Sequence, residues 1–386
     1  MEKEDRDWLS QDWSEIEGAA AGTEVRLFMW GGDEGINTYF DEWAIPEAEK
    51  KLDLTIERVP IDTEDSLQRL LTEKQAGKQD GTMDILWVNA ENFRNAKENE
   101  LLYGSFAEKL PNYNKYIDRS APENTYDFGT ETEGLEAPWG KVQFTYIYDK
   151  AKIEEPPETL AQLIEWTKEN PGKFTYPEPN DFTGNAFLRH LIYEHASVED
   201  ILERGFDEQW AEGRTEAMWD NLEEWESSLW REGETYPASL AELDRLFSRG
   251  EVWMSMGYNE ARAESLIRDG TFPESTGTFV LDDGSIGNTH FLSIPYNTTN
   301  APGALAVINF LLSPEAQAQK LKPEMWGESS VLDFDKLDKE EQEAILNINR
   351  GRTVLDQERL NEVYLPEMDA AYVRWIEEKW EDEVLQ

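Results

Sequence analysis

The residues that could do chemistry are unevenly supplied in this chain of 386 residues. There are no cysteines and only three histidines. Disulfides, zinc–thiolate sites, iron–sulfur clusters and cysteine nucleophiles are therefore excluded. His190 and His195 are five apart, whereas a His-Glu-x-x-His zinc helix needs four. No Gly-x-x-x-x-Gly-Lys-Ser/Thr loop is present, which removes a Walker-type nucleotide site. Asp333–Asp338 has carboxylates but lacks the glycine that an EF-hand turn requires. With 82 acids in the chain, a carboxylate pair of the glycosidase kind has almost no specificity.

Binding chemistry is better represented. Trp30-Gly31-Gly32-Asp33 joins a ring to two positions where backbone can approach a solute, then to a helix start. Trp30 could stack on a ring or hold a cation, and a tight turn with a core tryptophan is the plainer alternative. Asn89 and Asn92 follow an apolar run and fit either solute contact or helix capping. Trp139 and Gln143 flank a backbone break, and a glutamine among apolar neighbours needs a hydrogen-bond partner. Tyr176, Asp181, Thr183, Gly184 and Asn185 offer a second helix start. Tyr258 and Asn259 follow another strand. Asn288 and His290 lie together, although a lone histidine is more often structural. The tryptophans at 210, 219, 225 and 230 read as core.

Two α/β regions would position these residues. Val25–Trp30, Leu54–Val59 and Met83–Val88 read as strands, with helices over Asp33–Trp43 and Asp62–Lys74. That β-α-β-α-β order predicts a parallel sheet. Ala137–Lys150 is apolar on both faces and reads as a buried strand passing between two regions, with breaks at Pro138 and Gly140 near a hinge. In the second region Pro156–Asn170 reads as a helix and Phe174–Tyr176 as a short strand. A loop over 177–185 leads to a helix at Ala186–Glu194, and 197–234 and Leu240–Phe247 are helical. Val252–Met256 is a strand. Thr278–Leu281 and His290–Ile294 form a hairpin or a return crossing. Ser313-Pro314-Glu315 opens a capped helix, and the tail is mostly helical.

Composition sets the outer bounds. Net charge is −46, from 36 basic and 82 acidic residues. This repels nucleic acid and anionic lipid. Any preference for cations is diffuse and screened within roughly 8–10 Å. The even spread of acids reads as a halophilic surface. No stretch approaches the ~18 apolar residues of a membrane span. Met1–Glu17 is acidic and does not read as an export signal.

The motif Asn309-Phe310-Leu311-Leu312-Ser313-Pro314-Glu315-Ala316-Gln317 resembles one common in extracellular solute-binding proteins of ABC importers. Trp30–Asp33, Leu86–Arg94, Pro138-Trp139-Gly140, Phe182–Phe187 and Gly287–Phe291 resemble the YnjB-type branch, near the thiamine, polyamine and ferric-iron binders. The resemblance runs from about residue 24 to the tail. It implies an α/β fold of the two-lobe periplasmic-binding-protein-like type (type II), with a ligand cleft and a two-strand hinge. Lobe 1 would be 23–141 plus 289–386, and lobe 2 would be 142–288, after a leader or arm at 1–22. The implied function is capture of a small solute by hinge closure and delivery to a membrane permease, without catalysis, cofactor or metal. The protein would be a periplasmic or extracellular monomer, with or without a lipid anchor, whose signal lies outside this sequence. A thiamine-like or polyamine-like cation fits the neighbouring families, while an anion or sugar stays open. The alternative is an exported hydrolase acting on carbohydrate.

Overall fold

The computed structural model describes residues 7–384. The chain divides into two compact units. The first runs up to Lys141 and takes up Thr289–Asn349. The second comprises Val142–Asn288 and the segment from Arg350 onward.

In the first unit, strands Glu24–Met29, Thr55–Pro60 and Ile85–Val88 form a parallel sheet with Glu24–Met29 in the middle. Residues Phe291–Ser293 add an antiparallel strand against Leu86–Val88. Side chains alternate across a strand. Val25, Leu27, Met29, Ile85 and Trp87 enter one core, whereas Phe28, Leu86 and Val88 enter a second core on the opposite face. Covering both faces is why these strands read as unbroken apolar runs. The first core is closed by helix Ala301–Leu311, capped by Asn300 and buried along most of its length. Helix Trp13–Ala20 packs into the same core through Ile16 and Ala20. The stretch read as a leader or arm thus forms a helix built into the first unit; residues 1–6 lie outside the described residues.

The second unit is built on a smaller sheet. Its sheet has three antiparallel strands, with Thr145–Asp149 between Met254–Gly257 and Thr276–Phe279. Thr276–Phe279 pairs with Thr145–Asp149 and does not form a hairpin with the return strand Ser285–Ser293. Phe174–Tyr176 is buried but joins no ladder; the Phe174 carbonyl instead accepts the Trp230 amide. Helix Phe182–Tyr193 starts four residues earlier than expected, with Asp181 as its cap.

The segment from Arg350, expected with the first lobe, belongs to the second unit. The reason is apolar spacing: Tyr372, Trp375, Ile376 and Trp380 of helix Ala371–Glu383 form one stripe that fills the second unit's core beside Trp219 and Trp225. Residues Tyr364–Leu365 also pair with Ser285 and Ile286. The chain thus passes between units within Glu136–Gln143, within Ser285–Ser293 and again at Asn349–Arg350. Among the described residues no helix is long and apolar enough to cross a membrane.

Candidate functional site

In the first unit, the loops after Glu24–Met29 and Ile85–Val88 leave the same edge of the sheet because these strands are parallel and adjacent. That edge is where open α/β sheets take ligands. Trp30 is 43% exposed. Its indole lies against Gly32, where a side chain would collide with the ring. The Gly31 carbonyl accepts Asn37 Nδ2 at 3.0 Å. Asp33 is exposed and accepts the Ile36 amide at 2.9 Å, filling the helix start with its own carboxylate.

Asn89 spends its amide internally. Its Oδ1 accepts Trp87 Nε1 at 2.6 Å and its Nδ2 donates to the Thr289 carbonyl at 2.8 Å. Ala90 has φ of 57° and donates its amide to Asp127 Oδ2 at 2.7 Å. Asn92, two residues on, is half-buried in the first part of helix Ala90–Glu98.

Trp139, expected at a solute site, is fully buried. Its ring centroid lies 5.3 Å from those of Trp87 and Trp326. Its carbonyl accepts Lys320 Nζ at 2.6 Å and Gln317 Nε2 at 2.7 Å. His290 packs on Trp87 at 4.8 Å, and its Nδ1 lies 2.5 Å from Glu328 Oε1. Glu328 also lies 3.1 Å from Lys320 Nζ, and both side chains have no exposure. A Cβ at Gly140 would strike the Glu328 carboxylate, so the break at that glycine makes room for a buried charge. Trp326 and Glu328 lie in an irregular stretch beyond helix Pro314–Lys320, whose last residue is Lys320, so the cluster carries no local sequence signal.

In the second unit, several expected contacts prove to be interior. Gln143 Nε2 donates to the Leu360 carbonyl at 2.8 Å and the Ser285 carbonyl at 3.3 Å. The buried Tyr176 hydroxyl accepts Trp380 Nε1 at 3.1 Å. Thr183, Gly184 and Asn185 are helical and buried. Asn185 Nδ2 donates to the Val373 carbonyl at 2.9 Å. Asp181 accepts the amides of Thr183 at 2.9 Å and Leu240 at 2.8 Å, so this helix start is also filled by its own carboxylate. Asn259, at φ of 69°, accepts the Ala261 amide at 3.0 Å.

Tyr258 and Asn288 meet at a residue that the sequence reading missed. The buried Glu367 carboxylate accepts the Tyr258 hydroxyl at 2.9 Å and Asn288 Nδ2 at 3.4 Å, and pairs with buried Arg189. Burial pushes the Glu367 carboxyl up against the pull of Arg189. Arg189 is raised in spite of its burial, because Glu367 attracts its charge. Phe182, absent from the sequence candidates, is 50% exposed at the start of its helix.

Glu136 and Asp127 are two buried carboxyls close enough for their charges to interact. Glu136 is pushed well above the usual range by burial and by the charge of Asp127. At 1% and 2% exposure, however, Glu136 and Asp127 are sealed from any substrate. Among the described residues no three His, Asp or Glu side chains converge to hold a metal ion.

With this geometry established, comparison with known proteins identifies the class. The model of the bacterial extracellular solute-binding protein family matches residues 43–332. The chain is 38% identical to Protein YnjB of Escherichia coli (strain K12) over 373 residues, covering 96% of this chain and 93% of that protein. The chain belongs to the bacterial extracellular solute-binding protein family.

Solved structures share the fold. The spermidine/putrescine substrate-binding protein PotD of Streptococcus pneumoniae matches with a TM-score of 0.64 at 15% identity, covering 93% of this chain and 99% of that one. An ABC transporter substrate-binding protein of Bradyrhizobium japonicum matches with a TM-score of 0.64 at 16% identity, covering 94% and 99%. The periplasmic binding protein AfuA of Actinobacillus pleuropneumoniae, with fructose-6-phosphate bound, matches with a TM-score of 0.58 at 15% identity, covering 94% and 98%.

Proposed function

We propose that the chain is the solute-binding component of an ABC importer, that it delivers its cargo to a membrane permease without turning it over, and that the cargo carries a cationic group. The observation that carries the charge of the cargo is the state of the two helix starts. Asp33 and Asp181 already accept the amides that a phosphate or carboxylate would need. An anion at either start would meet a carboxylate. A cation at Trp30 meets an exposed ring with an exposed carboxylate three residues away. Trp30, Asp33 and Asn92 are the first unit's contacts in this reading, with Gly31 and Gly32 allowing close approach.

The family supports a place outside the cytoplasm. A monomer with its acids spread over a saline-adapted surface completes the proposal. The test is calorimetric titration with thiamine, spermidine, glucose and fructose 6-phosphate. Thiamine or spermidine should bind, and Trp30→Ala should weaken that binding at least tenfold. Tight binding of fructose 6-phosphate with neither cation binding would overturn the cationic reading. Hydrolysis of a glycoside would overturn the absence of turnover.

A further inference from the structure

Phe182 is an apolar ring held half in solvent by buried polar groups. Its centroid lies 5.2 Å from that of Tyr258, with the rings tilted by 34°. The Arg189 guanidinium sits 5.5 Å from the Phe182 centroid. Arg189 is fixed by Glu367, and the same carboxylate accepts the Tyr258 hydroxyl at 2.9 Å. One buried carboxylate thus holds both neighbours of the exposed ring. The stretch around Glu367 is itself anchored to helix Phe182–Tyr193, where the Tyr193 hydroxyl donates to the Pro366 carbonyl at 2.7 Å.

We propose that the Phe182–Tyr258 pair is a binding platform for the flat face of a neutral ring, and that Glu367 is its positioning residue. The proposal rests on the reading of the chain as a solute-binding protein and names the chemical group that the second unit would take. The ring class follows from the surroundings. Arg189 already supplies a cation to Phe182, and a second cation there would face like charge. An anion would meet Asp181, whose carboxylate occupies the helix start. A neutral planar ring, or the apolar face of a sugar, stacks without either conflict.

The experiment places a single 4-fluorophenylalanine at position 182 of the full chain and follows its fluorine resonance. Uracil and glucose serve as neutral-ring probes, with tetramethylammonium as the cationic control. At least one neutral probe should move the resonance, and tetramethylammonium should not. In Glu367→Gln the resonance should shift in the free protein, and the probe's apparent affinity should fall at least tenfold. If that variant fails to fold, Tyr258→Phe removes the hydroxyl and keeps the ring, and the same losses are expected. A resonance unmoved by both neutral probes, or probe binding unchanged in the folded variant, overturns the proposal. Because the cationic reading is tested at Trp30 with other solutes, the two can fail separately.

Discussion

His190 Nε2 accepts the backbone amide of Ile286 at 2.8 Å, while His190 Nδ1 lies 2.7 Å from the Ala186 carbonyl. A carbonyl can only accept and an amide N–H can only donate, so the proton is on Nδ1 and the ring is neutral. The return strand is thereby tied to helix Phe182–Tyr193 by a group that works only without charge.

The first prediction follows from that neutrality. Burial lowers the His190 pKa to about 3, with Arg189 adding to the effect and the Ala186 carbonyl opposing it. The unfolded chain gains the proton near the ordinary value, so stability falls as pH drops from about 6.5 toward 3, at up to about 1.4 kcal/mol per pH unit. His190→Gln keeps an acceptor for Ile286 and removes the titration. Urea unfolding at pH 7 and 4.5 should show a smaller loss in the variant than in the parent. Equal losses would remove His190 from the acid response.

Glu136 has the opposite sign. Its carboxyl is pushed up by burial first and by the charge of Asp127 second, so its pKa in the fold lies above the unfolded value. The stability it contributes is complete below the unfolded value of about 4.3 and is lost as pH rises through the folded value. Glu136→Gln should therefore gain stability relative to the parent as pH rises above about 5, read as a diverging pair of denaturation midpoints. Parallel midpoints from pH 5 to 8 would contradict it.

Two tryptophans from neighbouring motifs should separate stability from binding. Trp139→Ala removes a fully buried ring and should cost roughly 3–5 kcal/mol. Trp30→Ala removes a 43% exposed ring and should change stability by no more than about 0.5 kcal/mol while weakening cation binding. Chemical denaturation and thiamine or spermidine titration on both variants read the contrast. Comparable stability losses would mean that Trp30 is also core.

The buried pair of Lys320 and Glu328 gives a double-mutant test. Lys320→Met leaves an uncompensated carboxylate beside His290 and should cost about 3–5 kcal/mol. Adding Glu328→Gln should recover part of that loss, because the second change removes the stranded charge. Additive losses in urea unfolding would show that the two side chains do not stabilise one another.

Legibility in the sequence tracked how local each interaction is. Val25–Met29 and Ile85–Val88 were readable because a strand covered on both faces must be apolar throughout. Asp33, Asp181 and Ser313 announced helix starts within four residues. Phe174–Tyr176 misled because burial alone resembles a strand, while pairing depends on distant backbone. Gln143 among apolar neighbours announces the need for a partner, but the partner is the Leu360 carbonyl, 217 residues away. Lys320 and Glu328 were invisible, since a buried ion pair looks like two surface charges until the chain is folded. Phe182 carries no such signal, because its polar neighbours Thr183 and Asn185 are buried in the helix while the apolar ring faces water.

The third passage of the chain at Asn349–Arg350 has a consequence for biosynthesis. The first unit lacks the helix Ala301–Leu311 until well after its three parallel strands have been made. The second lacks Tyr372, Trp375 and Trp380 until long after Val142–Asn288 has been made. Domains ordinarily fold from the amino terminus while synthesis continues. Here the first interior waits for residues made after Val142–Asn288 and the second for residues made after Thr289–Asn349, so a nascent chain of this kind depends on holdase protection for longer than one whose domains are continuous.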